Sequence, residues 1–73
     1  MIDIAELRKE HIGAWVLYDP GCGRKEKGRI KSWNEHFIFV VYKCANEWGR
    51  YQEYTGCATK EADLRFTTKD EVV

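Results

Sequence analysis

The segment HFIFVVYK, residues 36–43, is apolar on both sides if it is extended. Successive side chains of a strand point to opposite faces. Phe37, Phe39 and Val41 then share one face, and Ile38, Val40 and Tyr42 share the other. A strand on the surface of an open sheet shows polar residues to solvent. This one has none to show, so something in the chain must cover each side of it.

The chain available for this is short. Its 73 residues make one domain, 1–73. A chain of this size buries about 60% of its unfolded surface, which leaves a thin core. Aromatic residues, 14% of the total, help because a ring buries much area. Rings left outside that core are binding equipment.

Turn residues divide the chain into short elements. Residues 3–11 read as a short helix. Asp3 caps it, Glu6 stands at the capping-box spacing, and Gly13 stops it. Ile4, Leu7 and His11 share a face. About nine residues cannot hold a helix alone in water, so it must dock, and Ile4 and Leu7 are expected over one face of strand 36–43. AWVLY (14–18) is the first strand and DPGCG the turn after it. GRIKSW (28–33) is the second strand, with Ile30 and Ser32 inward. HFIFVVYK is the third, CANEWG a loop, and RYQEYTG (50–56) the fourth strand. TKEADL reads as a short 3-10 turn and LRFT (64–67) as a fifth strand. Five short strands with a helical turn before the last describe a small barrel. The expected organisation is an N-terminal helix at 1–12, a β-barrel at 13–67 and a loose tail at 68–73.

This order resembles the SH3-like barrels, and the Tudor group among them. The residues that carry the resemblance are IGAWVLY (12–18), GRIKSWN (28–34), FIFVVY (37–42) and ATKEADL (58–64). The likeness covers about residues 12–66. The chain as a whole also resembles small bacterial and phage proteins of unassigned function. Tudor domains hold a methylated Lys or Arg in an aromatic cage through cation–π attraction. By position, the resemblance puts Tyr18 and Tyr42 in such a cage, with Trp48 as a third wall. Lys27 and Gly28 stand where the family usually carries another ring.

Two surfaces follow from the residues themselves. The aromatic one comprises Tyr42, Trp48, Tyr51 and Tyr54, with Tyr18 from the resemblance. Trp and Tyr anchor protein interfaces. Tyr51 and Tyr54 fall on opposite faces of the expected fourth strand, so at most one is core; Trp48 sits in a polar loop, as a binding ring or as a lid on the barrel end. Trp15 opens a core strand and is structural. The other surface is the basic hairpin. Arg24, Lys25, Lys27, Arg29 and Lys31 stand against Glu26 alone, which leaves +4 there and −4 elsewhere in a neutral chain. Arg29 and Lys31 alternate with Ile30 and so share the outward face with Trp33. A cationic stripe beside an indole suits a phosphate backbone and an unstacked base. The same charges also describe a solvated hairpin.

Other classes find little in the sequence. Neutral net charge weighs against a general nucleic-acid coat protein. No apolar run approaches about 18 residues, and the acidic, amphipathic MIDIAELRKE is no signal peptide, so no membrane association and a cytoplasmic location are expected. Cys22, Cys44 and Cys57 are odd in number and contain no CxxC pair, which argues against a disulfide framework or a zinc site. Cys22 lies in a Gly-rich turn beside Arg24 and Lys25, a setting that can lower a thiol pKa; the alternative, which the sequence favours, is a thiol that is simply exposed. His11 and His36 have no nucleophile and carboxylate beside them, and GCG is no phosphate loop. The reading is a non-catalytic interaction module without cofactor or metal, monomeric or a weak homodimer. It binds a protein partner through the aromatics, or alternatively nucleic acid through Arg24, Lys25, Lys27, Arg29, Lys31 and Trp33.

Overall fold

The computed structural model describes residues 2–21 and 23–70. Five antiparallel strands form one sheet: β1 (Trp15–Tyr18), β2 (Glu26–Trp33), β3 (Ile38–Val41), β4 (Cys57–Thr59) and β5 (Leu64–Phe66). Their order is β4-β3-β2-β1-β5. The protein is mainly β, as the sequence implies, and a 3-10 turn at Glu61–Asp63 leads into β5.

The sheet does not close into a barrel. β4 and β5 are its edges, and among the described residues no ladder joins them. Closure needs tilted strands with a staggered register; three-residue edge strands leave no length for that stagger.

The expected N-terminal helix is two 3-10 turns instead, Ile4–Glu6 and Lys9–His11. Asp3 does cap the first, its Oδ1 accepting from Ala5 N–H at 3.0 Å. Leu7 and Arg8 are then extended, so no α-turn follows. So short a helix is not self-supporting, and long-range bonds hold the segment stretched. Ile2 N–H donates to Leu64 C=O at 3.1 Å, and Ile4 N–H donates to Glu61 Oε2 at 2.6 Å.

The expected fourth strand is also different. Trp48–Glu53 forms 3-10 turns that meet at a kink at Arg50, and β4 comes after them. A 3-10 turn has three residues per turn. Trp48, Tyr51 and Tyr54 are three apart and therefore emerge on one side.

Within β2 the ladder to β3 runs Ile30↔Val40 and then Ser32↔Phe39, so Lys31 is an extra, bulged residue. A bulge reverses the alternation beyond it. That is why Ser32 is exposed, contrary to expectation, while Trp33 packs on the aliphatic core.

Both faces of β3 are covered, each by a different part of the chain. Val40 and Val41 are neighbours on opposite faces, and each is 0% exposed. Val40 belongs to the main core with Ile2, Val16, Ile30, Ile38 and Leu64, and Ile4 and Leu7 pack at its margin. Val41 belongs to a second cluster with Cys44 and Tyr51, flanked by Trp48 and Tyr54. The N-terminal segment therefore covers only the Ile38–Val40 side, and the 44–54 segment covers the other. Of the expected loose tail, residues 71–73 lie outside the described residues. Lys69 is attached: its carbonyl accepts from Lys27 Nζ at 2.5 Å.

Candidate functional site

The aromatic residues sort onto two sides of the sheet. Tyr18 ends β1 and Tyr42 follows β3. β1 and β3 flank β2, whose Gly28 lies between them. A Cβ on Gly28 would lie 2.6 Å from Val41 O and 3.0 Å from Tyr42 Cδ1. The missing side chain lets Tyr42 lie down over β2. The rings of Tyr18 and Tyr42 meet edge to face, centroids 6.0 Å apart. Both are half-buried at the end of the main core.

Beside this pair is an open cleft of about 510 Å³. Tyr18, Tyr42 and Phe37 give it ring surface, Glu26 and Asp63 give it carboxylates, and Cys57–Lys60 forms a wall. The Tyr42 hydroxyl is 2.8 Å from Thr59 Oγ1. Burial pushes the Tyr42 phenol up to about 12; the Thr59 hydrogen bond pulls the other way and the Glu26 carboxylate adds to the rise. The Tyr42 phenol is thus held protonated at neutral pH, beside the Tyr18 ring, Glu26, Asp63 and Lys60. Ring faces suit a cation, and the two acids outnumber the one lysine, Lys60, that also lines the cleft.

Trp48 does not join this pair as the third wall of a cage. It lies over the opposite side of the sheet, its ring 4.9 Å from that of Trp15. There the rings close on Arg29. Its guanidinium carbon is 4.3 Å from the Tyr51 ring centre and 5.3 Å from that of Trp15. Nε donates to Gly13 C=O and Nη1 to Trp48 C=O, both at 2.8 Å. Gly13 has φ +87, and a Cβ there would meet the Tyr51 hydroxyl at 2.8 Å. Tyr51 is buried. Tyr54 is half-buried and its hydroxyl donates to Glu47. Tyr51 and Tyr54 do not face opposite ways; both pack on the Val41 cluster. Trp15 is half-buried here rather than in the main core.

The basic hairpin is largely engaged with the chain itself. Arg29 is held as described. Lys31 Nζ donates to Tyr54 C=O at 2.7 Å. Lys27 reaches Lys69 and stands 5.4 Å from the Trp15 ring centre. Lys25 lies 4.0 Å from Asp19, and Arg24 is exposed. Trp33 leaves the outward face because of the bulge at Lys31. The expected stripe of Arg29, Lys31 and Trp33 therefore does not form one surface.

Cys44 is buried and Cys57 exposed, and both are free thiols; Cys22 lies outside the described residues. Among the described residues no group of three or more His, Cys, Asp or Glu is placed to hold a metal ion. No described helix is long and apolar enough to cross a membrane.

The cleft acids were the part that sequence reasoning missed. Glu26 entered it only as a lone negative charge in a basic run. Asp63 belongs to a turn read from its Thr cap and length and from the 58–64 resemblance, with no role given to its carboxylate. Compared with family models, with curated proteins and with solved structures, the chain matches none.

Proposed function

We propose that this chain is a non-catalytic, SH3-like interaction module whose sheet is left open at β4, and that it binds a protein segment at the Tyr18–Tyr42 cleft. The observation that carries this reading is the ring pair itself. Two tyrosines from different strands converge at 6.0 Å beside an open cleft of about 510 Å³ that also holds Glu26 and Asp63. Clefts with ring walls and a few polar groups are the usual form of a binding site. The strand meander and the 3-10 turn before β5 support the SH3-like reading. The Tudor resemblance points to the same two tyrosines and to a cationic side chain as ligand.

The nucleic-acid alternative draws less support, because Lys27, Arg29 and Lys31 already bond to backbone carbonyls of this chain. Phosphates would also meet the cleft carboxylates. The test is affinity capture with wild type, Tyr18→Ala and Trp48→Ala, with an amide NMR spectrum to show that each is folded. Captured protein is expected to be lost with Tyr18→Ala and kept with Trp48→Ala. Capture that survives Tyr18→Ala in a folded domain rules the cleft out.

A further inference from the structure

The sheet has two edges, and the chain treats them differently. At β5, Thr67 N–H donates to Trp15 C=O at 3.0 Å and Asp19 N–H to Asp63 C=O at 2.8 Å. In an antiparallel ladder the bonded pairs alternate, so the main-chain groups of Leu64 point away from β1. The N-terminal segment meets them there, with Ile2 N–H donating to Leu64 C=O at 3.1 Å. At β4 no strand pairs with the outer side among the described residues.

That edge has no partner strand among the described residues, although Cys57 C=O accepts from Thr59 Oγ1 at 3.2 Å, and it is also a wall of the cleft. Cys57, Ala58, Thr59 and Lys60 line it together with Tyr18 and Tyr42. A second hollow of about 320 Å³ continues past Tyr42, lined by Glu26, Lys43, Thr55 and Cys57 as well. The two hollows share Glu26, Tyr42 and Cys57. The groove thus follows the chain from Lys60 back to Thr55, a stretch that spans roughly 17 Å when extended.

We propose that β4 accepts an extended peptide segment as a sixth strand, with a basic side chain of that segment lying against Tyr18 and Tyr42 and facing Glu26 and Asp63. The inference rests on the cleft reading above and adds the partner's backbone and charge. An added strand gains affinity from main-chain bonds and selectivity from pockets for alternate side chains. A three-residue edge offers few such bonds, so edge and cleft must act together. Charge selects the occupant at the cleft end of the groove: Glu26 and Asp63 stand there against Lys60 alone, a net of −1 beside the Tyr18 and Tyr42 rings that favours a cation, while Lys43 lines only the continuing hollow.

The test uses the full 15N-labelled chain and four kinds of probe: a peptide, its N-methylated versions, its norleucine version and n-butylammonium. The peptide is acetyl-Thr-Val-Lys-Val-Thr-amide. Two further versions are N-methylated at alternate residues, one at the valines and one at the other three. In an added strand only alternate amides face the edge, so one methylation pattern is expected to weaken binding roughly tenfold, the effect of one or two lost hydrogen bonds, and the other much less. The parent peptide is expected to slow amide exchange at residues 57–59 and to shift the Tyr18 and Tyr42 rings. n-Butylammonium alone is expected to shift the rings and leave residues 57–59 unchanged. If the peptide shifts the rings but leaves 57–59 unprotected, and both methylated versions bind equally, strand addition is wrong and the cleft reading stands. If neither butylammonium nor peptide moves the rings, the cleft reading fails and this inference with it. Equal binding by a peptide with norleucine in place of Lys overturns the assignment of a basic side chain.

Discussion

Trp15, Trp48 and Tyr51 on one side of the sheet and Tyr18 and Tyr42 on the other are similar side chains in opposite situations. The first set closes on a cation of its own chain, Arg29, whose guanidinium lies 4.3 Å from the Tyr51 ring centre. The second set opens on solvent beside Glu26 and Asp63. The difference lies in what the strands supply between the rings. β2 carries Arg29 on one side, long enough to fill the gap and reach the carbonyls of Gly13 and Trp48. One residue earlier it carries Gly28, which fills nothing and lets Tyr42 settle. Aromatic content alone therefore does not mark a binding surface. A ring set with its cation built in is structure, and a ring set with acids beside it is the candidate site.

The comparison breaks most directly at Tyr51. Its ring covers Val41 and Cys44 and carries Arg29 on its outer face. Tyr51→Ala leaves a cavity and strips Arg29 of its main contact. The expected loss is about 3 kcal/mol, a drop in Tm of more than about 10 °C for a domain this small. Urea denaturation measures it. A loss below about 1 kcal/mol would mean that the 44–54 segment is not a true cover, and the contrast between the two ring sets would fall.

Arg29→Lys sharpens the same contrast without emptying the site. Lysine keeps the charge but lacks the planar fork that donates to two carbonyls while stacking on a ring. One buried carbonyl then loses its partner, at a cost of about 1–2 kcal/mol. The Trp15–Trp48 contact is expected to loosen as well, with a red shift in tryptophan emission. A lysine variant as stable as wild type, with unchanged emission, would reduce Arg29 to a surface charge.

These two positions also show which parts of the fold were legible in the sequence. The double-sided character of 36–43 implied a core on one side and the N-terminal segment as cover on the other, and Val40 and Val41 are both fully buried. The N-terminal segment instead joins the Val40 core, and the 44–54 segment is the cover on the Val41 side. The hairpin pairing of β1, β2 and β3 followed from alternation and turn residues, which are local. The bulge at Lys31 is set by how β2 meets β3, and it alone turned Trp33 inward and Ser32 outward. RYQEYTG alternates like a strand, yet the spacing of Trp48, Tyr51 and Tyr54 by three also fits a 3-10 turn. Covering Val41 decided between them. The cleft was half legible: Tyr18 and Tyr42 came from the resemblance, while Asp63 reaches them only through the turn between β4 and β5.

A smaller effect separates the open ring pair from the closed one by pH. The Tyr42 phenol titrates near 12 in the folded protein, first because of burial, against an ordinary value of 10.0. Between those values the folded state keeps a proton that the unfolded chain has released. Stability therefore falls as pH rises from about 10 towards 12. Tyr42 is partly exposed, so solvent screening holds the effect to about 1 kcal/mol. Absorbance at 295 nm across this range is expected to show a late phenol in wild type that Tyr42→Phe removes, while Tyr54, which burial and Glu47 also raise, stays late in both. A Tyr42 that ionises together with the other tyrosines would mean that its ring is not packed over β2.

The smallest effect expected concerns the most conspicuous ion pair. Arg50 Nε and Glu53 Oε2 are 2.6 Å apart, shorter than any bond made by Arg29, and they sit in the same covering segment. Both side chains are exposed, 64% and 58%. Arg50 holds the Glu53 carboxyl below its usual range, so any stability from the pair is present above that range and lost as pH falls through the lowered value. Water and salt screen such a pair, and fixing two long side chains costs entropy. Glu53→Gln is therefore expected to leave the Tm unchanged at neutral pH, while Arg29→Lys, one layer beneath, lowers it. Equal losses for the two would mean that the segment is pinned from its solvent side, and that the cation enclosed by Tyr51 and Trp15 is incidental to its position.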